Sequence, residues 1–174
     1  LQDIKNINII QGDALKIDLD QLVEKVVGQK TTYKVVANLP YYITTPLIMH
    51  CLEKGFHIER IVVMVQKEVA QRLQAQPGTK DYGALTVNVN FWAQVDLAFI
   101  VPRQVFTPQP DVDSAIVDLQ LRKEAPYPLQ DRTIFKKLVK AAFNQRRKTL
   151  NNSLKLLGIP KEEIAAILLA CDID

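Results

Sequence analysis

The amino-acid sequence predicts an α/β fold followed by a helical segment. Over the first half of the chain, short β-branched runs alternate with stretches of helical spacing, and this order is typical of right-handed crossovers in a parallel sheet. In such folds the functional site lies at the carboxyl ends of the strands. Two later β-branched runs have no helix between them, which predicts an antiparallel hairpin at the sheet edge. We therefore expect a mostly parallel sheet with an antiparallel edge hairpin.

The individual elements are predicted from apolar runs for strands and from helical periodicity with capping residues for helices. Gly28 and Gly55 can end the first two helices in left-handed turns, and Thr44 or Thr45 can cap the second, with Pro46 at its first position. The predicted strands are residues 7–10, 34–37, 60–65, 95–101 and 114–121. The predicted helices are residues 18–27, 46–54 and 66–73. For residues 84–93 the periodicity fits a strand and a helical face, so both remain open.

The composition is that of a soluble globular protein. Of the 174 residues, 48% are hydrophobic and 24% are charged. The apolar runs fall far short of the ~20 residues that a membrane span requires, so we expect no membrane partner. Cys51 and Cys171 are far apart and have no metal-ligand spacing, which predicts reduced core thiols, no metal site and a reducing compartment.

A basic segment follows the predicted sheet. Between Arg132 and Lys155 there are eight basic residues and no acidic one. Because the formal net charge of the whole chain is +3, the remaining residues together carry a net charge of −5. This asymmetry favours contact with a nucleic acid over a solvated helix face, which would normally mix both signs. Residues 135–157 fit one helix with Arg146 in the middle of its apolar arc. If that helix is continuous, the Arg146 guanidinium must be paired, must extend along the apolar surface to reach water (snorkel), or must face a seam against another layer of the structure.

The loop after the second predicted strand, Asn38-Leu39-Pro40-Tyr41, has a chemically suggestive composition. The side-chain amide oxygen of Asn38 and a backbone carbonyl held rigid by Pro40 are two hydrogen-bond acceptors, which suit an amino group. Tyr41 could stack on a base presented in this way. Taken alone, a motif of four residues is better explained as an ordinary turn.

Six segments, in order along nearly the whole chain, resemble the ribosomal RNA adenine N6,N6-dimethyltransferase family. These segments are QGDAL, NLPYYIT, VQKEVAQRL, DYGALTVNVNFWA, VFTPQPDVDSAIV and FNQRRKTLNNSL. The last is more similar to the branch that modifies small-subunit rRNA than to the antibiotic-resistance branch that acts on large-subunit rRNA. The resemblance implies a Rossmann-like, S-adenosylmethionine-dependent methyltransferase core at residues 1–123, a linker at 124–130 and a basic all-α RNA-binding domain at 131–174, incomplete at its C-terminus. It also makes residues 84–93 a helix.

The function implied by this resemblance is N6,N6-dimethylation of adenosines in small-subunit rRNA. The partner would be that RNA or the assembling small subunit, in the cytoplasm during ribosome biogenesis. Two other functions stay open: a catalytically silent RNA-binding or ribosome-assembly module, for which the basic segment would suffice, and a DNA adenine methyltransferase.

The resemblance also assigns roles at the acceptor site. Asn38 and the Pro40 carbonyl would accept hydrogen bonds from the target amine, Tyr41 would stack on the flipped base, and Phe106 would close its other face. From its neighbours alone, Phe106 could equally be a core aromatic. No general base is obvious, so positioning and electrostatics would supply most of the rate.

For the methyl donor, the resemblance assigns Asp13, with the Ala14 backbone beside it, to the adenine of S-adenosylmethionine, and places Asn38 at the same site. Without the family, Asp13 is better explained as a turn-forming residue. The residues predicted to contact RNA are Lys67, Arg72, Lys136, Lys140, Arg146, Arg147 and Lys148. A solvated helix face explains Lys67 and Arg72 equally well.

One departure from the family pattern concerns the cofactor. Family members have a glycine-rich turn for the methionine part of the cofactor and an acidic residue for its ribose, whereas the six glycines of this chain contain no GxG pair. We therefore expect a fragment that lacks the N-terminal cofactor-binding portion. Such a fragment would bind S-adenosylmethionine weakly or not at all and would be inactive by itself.

Overall fold

The computed structural model describes residue 4, residues 6–145 and residues 148–173. The predicted RNA contacts Arg146 and Arg147 lie outside the described residues. The strands are β1 (Tyr33–Asn38), β2 (Ile58–Gln66), β3 (Ala93–Val101) and β4 (Ser114–Leu121). The α-helices are α1 (Leu19–Val27), α2 (Thr44–Glu53), α3 (Lys67–Gln74), α4 (Ala84–Trp92), α5 (Arg132–Asn144), α6 (Leu150–Leu154) and α7 (Lys161–Ala170). Among these helices, none is long and apolar enough to cross a membrane.

The described strands form one mixed sheet in the order β1-β2-β4-β3. The pair β1 and β2 is parallel, and β4 is antiparallel to both of its neighbours, β2 and β3. The α/β class and the antiparallel edge hairpin, β3 with β4, are therefore confirmed. Parallel pairing is limited to β1 and β2 within the described strands, because β4 returns from β3 without a crossover helix and inserts beside β2.

Local capping explains why several elements begin and end where the sequence predicts. The carboxylate of Asp18 accepts a hydrogen bond from the Gln21 N–H at the start of α1, and Gly28 ends that helix with φ 84°. Residues 84–92 form helix α4, as the family resemblance predicted. Cys51 is buried, and burial raises the pKa of its thiol. The other predicted core thiol, Cys171, is exposed at the end of α7.

Three predicted elements are corrected by the structure. Residues 7–10 are not a strand, since their backbone joins none of the described sheet ladders and Ile9 is 74% exposed. Helix α2 begins at Thr44, two residues earlier than predicted, and Thr44 does not cap it. Residues 135–157 are not one helix, because α5 ends at Asn144 and α6 starts at Leu150.

The break between α5 and α6 follows from packing. Ala141 and Leu154 belong to the same buried cluster, together with Ile164 and Leu168 of α7. On one straight helix, Ala141 and Leu154 would lie roughly 20 Å apart, because each residue adds about 1.5 Å. The chain therefore has to turn between them, and Thr149 in an extended conformation starts the second helix.

The chain divides into two compact units. The first holds the residues up to Ala70 and Trp92–Arg122, and the second holds Gln71–Phe91 and the residues from Lys123 onward. In the first unit, alternating side chains of β2 and β4, such as Val63 and Val117, are fully buried. In the second unit, Tyr127 packs against Phe91 and Phe135, with ring centroids 5.4 and 6.4 Å away. The predicted linker at 124–130 contains this tyrosine and lies in the second unit.

Candidate active site

The carboxyl ends of β1 and β2 bring the Asn38-Leu39-Pro40-Tyr41 loop to one edge of the sheet. Asn38, the last residue of β1, pairs in register with Met64 of β2. An open cavity of about 320 Å³ lies beside them. Its lining residues are Asn38, Leu39, Pro40, Tyr41, Met64, Phe106, Pro108 and Pro110. The four residues that the sequence assigned to the acceptor site therefore line one cavity.

The loop presents one free polar side chain and one engaged carbonyl. Asn38 is exposed, and its side-chain amide makes no hydrogen bond to any described residue. Leu39 is 7% exposed and anchors the loop in the core. The Pro40 carbonyl accepts hydrogen bonds from the Ile43 N–H and from the Thr44 hydroxyl, both at 3.1 Å. These two bonds fix the direction of that carbonyl.

Tyr41 is tied to the sheet through a residue that sequence reasoning missed. The Tyr41 and Ser114 hydroxyls share a hydrogen bond of 2.8 Å. Ser114 is the first residue of β4 and is fully buried, whereas Tyr41 is 36% exposed. The available signal was a serine at the start of an apolar strand, where a buried hydroxyl requires a partner. Thr44, also missed as a partner of Pro40, is a second buried hydroxyl.

The segment that carries Phe106 is braced by Asp113. The Asp113 carboxylate accepts the Arg103 N–H at 3.1 Å and lies 3.5 Å from the Lys67 ammonium group. The Asp113 carbonyl accepts the Lys67 N–H at 3.0 Å. Phe106, half-buried, lines the cavity. Lys67, predicted as a phosphate contact, is therefore already paired with a carboxylate.

Of the three predicted cofactor contacts, Asn38 lines the cavity, whereas Asp13 and Ala14 lie apart from it. Asp13 and Ala14 are exposed and do not line the cavity. The Asp13 carboxylate accepts the Leu15 N–H at 3.0 Å and lies 3.6 Å from the Lys16 ammonium group. Its bonds are those of a turn, and the described residues around it do not by themselves fit a nucleoside. Within the described ranges, no group of three His, Cys, Asp or Glu side chains could hold a metal ion.

The predicted RNA contacts of the second unit that fall among the described residues are exposed. They are Arg72, Lys136, Lys140 and Lys148. Lys136 and Lys140 are four residues apart on α5 and so share one face of that helix. The Lys140 ammonium group makes no ion pair or hydrogen bond with a described residue, which leaves it available to a phosphate.

A polar cluster stabilises the sheet at the amino ends of β1 and β2, away from the cavity at their carboxyl ends. The Asp20 carboxylate of α1 accepts the Tyr33 hydroxyl at 2.8 Å, the His57 N–H at 2.9 Å and the His57 Nδ1 group at 2.7 Å. Burial raises the pKa of Asp20, but the hydrogen bonds from His57 and Tyr33 outweigh it and hold the pKa below its ordinary value. Burial and the Asp20 carboxylate raise the pKa of Tyr33. This cluster joins α1 to the starts of β1 and β2.

Comparison with known proteins gives a family model and relatives that agree with one another. A family model described as ribosomal RNA adenine dimethylase matches residues 1–169. Ribosomal RNA small subunit methyltransferase A of Moorella thermoacetica is 47% identical over 173 residues, covering 97% of this chain and 60% of that protein. The protein of the same name from Clostridioides difficile is 48% identical over 176 residues, covering 100% of this chain and 60% of that protein. This chain therefore spans about 60% of the length of these curated relatives.

Solved structures agree in fold. The crystal structure of a dimethyladenosine transferase from Plasmodium falciparum superposes with a TM-score of 0.77 at 26% identity, covering 99% of this chain and 66% of that one. A 23S rRNA methyltransferase superposes with a TM-score of 0.61 at 24% identity, covering 92% of this chain and 71% of that one, and shows the fold alone.

Proposed function

Because this chain belongs to the ribosomal RNA adenine dimethylase family, we propose that the whole protein transfers methyl groups to N6 of adenosines in small-subunit rRNA. Enzymes of this family use S-adenosylmethionine, which supplies an electrophilic methyl group. The observation that carries the proposal is the cavity at the end of β1, where the amide of Asn38, unbonded among the described residues, lies with Tyr41 and Phe106. Its partner would be the assembling small subunit.

The Asn38 amide has the central chemical role in this proposal. An aromatic amine is a poor nucleophile because its lone pair is delocalised into the ring. An acceptor that holds an amine hydrogen favours the pyramidal geometry in which the lone pair becomes available. The Asn38 oxygen accepts no hydrogen bond from a described residue and is open to the amine, whereas the Pro40 carbonyl already accepts two hydrogen bonds. We therefore assign the larger share of this effect to Asn38 and a supporting share to Pro40.

The aromatic residues would hold the base. A base inside a helix cannot reach a cavity of this kind unless it is flipped out of its stack. Tyr41 and Phe106 both line the cavity, and each offers a flat face for the flipped adenine. No acid or histidine is among the described lining residues, so the amine would release its proton to water after the methyl group is attached.

Binding of the methyl donor requires more contacts than the described residues supply. The Asp13 carboxylate is already bonded in its own turn, and Asp13 and Ala14 do not line the cavity. We therefore derive no step at these residues. Our proposal keeps the expectation that this chain alone binds S-adenosylmethionine weakly or not at all.

Lys136, Lys140 and Lys148 of the second unit would contact rRNA phosphates. Their exposure also supports the second candidate, an RNA-binding module without catalysis. The two candidates differ in one respect: only the enzyme needs the cavity at Asn38.

The experiment is a methylation assay of the whole protein on small subunits at the assembly stage, with labelled methyl donor. We expect Asn38→Ala to lower the rate about 100-fold, as does the loss of one preorganised polar group in other enzymes, with RNA affinity unchanged. Gln29→Ala removes another exposed amide of the first unit and should leave the rate unchanged. An Asn38→Ala protein that methylates at the wild-type rate would contradict the proposal. A wild type that binds rRNA without methylating it would favour the module, and methylation of duplex DNA alone would favour a DNA enzyme.

A further inference from the structure

The hydrogen bond between Tyr41 and Ser114 joins the candidate acceptor loop to the centre of the sheet. Its two oxygens are 2.8 Å apart, although 73 residues separate the two positions in sequence. Tyr41 lines the cavity and Ser114 does not. The Ser114 side chain is therefore linked to the cavity lining through its hydrogen bond to Tyr41.

Ser114 has a rigid position. It pairs with Gln66 at the end of β2 on one side and with Val101 at the end of β3 on the other. Its side chain is fully buried. Because strands pair with Ser114 on both sides, its hydroxyl offers the Tyr41 side chain a hydrogen-bond partner at a defined position.

The bond restricts the Tyr41 ring at both of its ends. The loop fixes the backbone, since Leu39 is buried and the Pro40 carbonyl is held by Ile43 and Thr44. The phenol oxygen is fixed by Ser114. A tyrosine side chain has two rotatable bonds, so fixing both ends selects one orientation of the ring plane.

The polar side chain at position 114 has a specific partner, the Tyr41 hydroxyl. A buried hydroxyl costs desolvation free energy unless it is bonded, and Ala115, the next residue of β4, is also fully buried without one. Among the described residues four polar side chains are buried: Thr44, Thr86, Ser114 and Ser153. Two of them, Thr44 and Ser114, bond to the loop at the cavity.

We propose that Ser114 is a positioning residue that sets, through Tyr41, the plane in which a planar purine stacks in the cavity. This inference rests on the proposed function and deepens it. Methyl transfer requires the amine lone pair to point along the line of attack, so a tilted base reacts slowly even when it is bound. Loss of the Ser114 hydroxyl should therefore lower kcat and leave KM for RNA nearly unchanged.

The test compares four variants of the whole protein with the wild type: Ser114→Ala, Tyr41→Phe, the double variant and Ser153→Ala. Tyr41→Phe keeps the ring and removes only the hydroxyl. Ser153→Ala is the matched control, since its hydroxyl is equally buried and has no partner among the described residues. We expect Ser114→Ala and Tyr41→Phe each to lower kcat about 5- to 10-fold, the effect of one lost hydrogen bond, with KM within about twofold. The double variant should be no slower than either single one.

Outcomes that overturn the inference are a Tyr41→Phe protein with wild-type kcat, or losses that multiply in the double variant, because a shared bond can be lost only once. Since Tyr41 is partly exposed, Tyr41→Phe keeps the test valid even if Ser114→Ala fails to fold.

A second readout separates this inference from the proposed function. 2-Aminopurine in place of the target adenosine loses fluorescence when it stacks on an aromatic ring. We expect strong quenching by the wild type and weaker quenching by Ser114→Ala and Tyr41→Phe. If the wild type transfers no methyl group, the proposed function fails. If the wild type and Ser114→Ala quench the fluorescence equally, or if the wild type does not quench it, the inference about Ser114 fails.

Discussion

The Asp113 carboxylate should control how well the Phe106 segment is held at the cavity. It accepts the Arg103 N–H and pairs with the Lys67 ammonium group. Asp113→Ala removes both interactions and keeps the backbone bond between the Asp113 carbonyl and the Lys67 N–H, at 3.0 Å. The variant therefore loosens the segment without releasing it.

The size of the effect follows from the exposure of these groups. A hydrogen bond to a charged acceptor contributes about 1.5 kcal/mol at the low end of its range, and an exposed N–H recovers part of this from water. The half-exposed ion pair with Lys67 adds roughly 0.2–1 kcal/mol. The total is about 1–2 kcal/mol, equivalent to a factor of about 5–30 in the population of the braced segment.

The assay is kcat/KM for methyl transfer by the whole protein, together with thermal unfolding. We expect Asp113→Ala to lower kcat/KM by at most that factor and to lower Tm by a few degrees. Asp111→Ala is the matched control. It removes the same charge from the same segment, but Arg103 Nη1 bonds to the Asp111 carbonyl, which the substitution retains.

The Asp111→Ala protein should stay within about twofold of the wild type. Equal losses in Asp111→Ala and Asp113→Ala would refute this reasoning, because they would show that the charge of the segment matters and the brace does not. Unchanged activity in both would show that Phe106 needs no brace.

Two further predictions concern the second unit and the polar cluster. Lys140→Glu should lower the slope of log affinity for rRNA against log salt concentration by about 1, the contribution of one phosphate contact. Lys34→Glu, the same charge change in the first unit, should leave the slope unaltered. Equal slopes for both variants would remove α5 from the interface. The lowered pKa of Asp20 stabilises the fold above the ordinary carboxyl pKa, and this contribution is lost as pH falls through the lower, folded-state value. The free energy of unfolding, measured by urea titration between about pH 5 and pH 2, should therefore fall more steeply in the wild type than in Asp20→Asn; identical slopes would contradict the role given to the bonds from His57 and Tyr33.

Elements that depend on neighbouring residues were predictable from the sequence. The start and end of α1 follow from Asp18 and Gly28, which act within one helical turn. The edge hairpin follows from two β-branched runs with no helix between them. The strand predicted at 7–10 failed because alternation describes one face of a strand and does not supply the partner that its backbone needs.

Elements that depend on distant residues were not predictable from the sequence. The division of residues 135–157 into α5 and α6 depends on Ala141 and Leu154 meeting in one cluster with α7, and helical periodicity continues across such a break. The paired state of Lys67 depends on Asp113. No local pattern indicates that a predicted phosphate contact is already neutralised by a carboxylate far along the chain.

The sequence by itself determined the chemical groups of the candidate site: an amide acceptor at Asn38, a rigid carbonyl at Pro40 and aromatic faces at Tyr41 and Phe106. It did so because a residue's hydrogen-bonding and stacking capacity is part of its identity. Only the tertiary structure decided which of these groups have partners. Among the described residues, the Asn38 amide is unbonded, the Pro40 carbonyl accepts two hydrogen bonds and the Tyr41 hydroxyl is bonded to Ser114. The physical reason is that availability depends on partners, and the sheet brings together residues that are up to 73 positions apart.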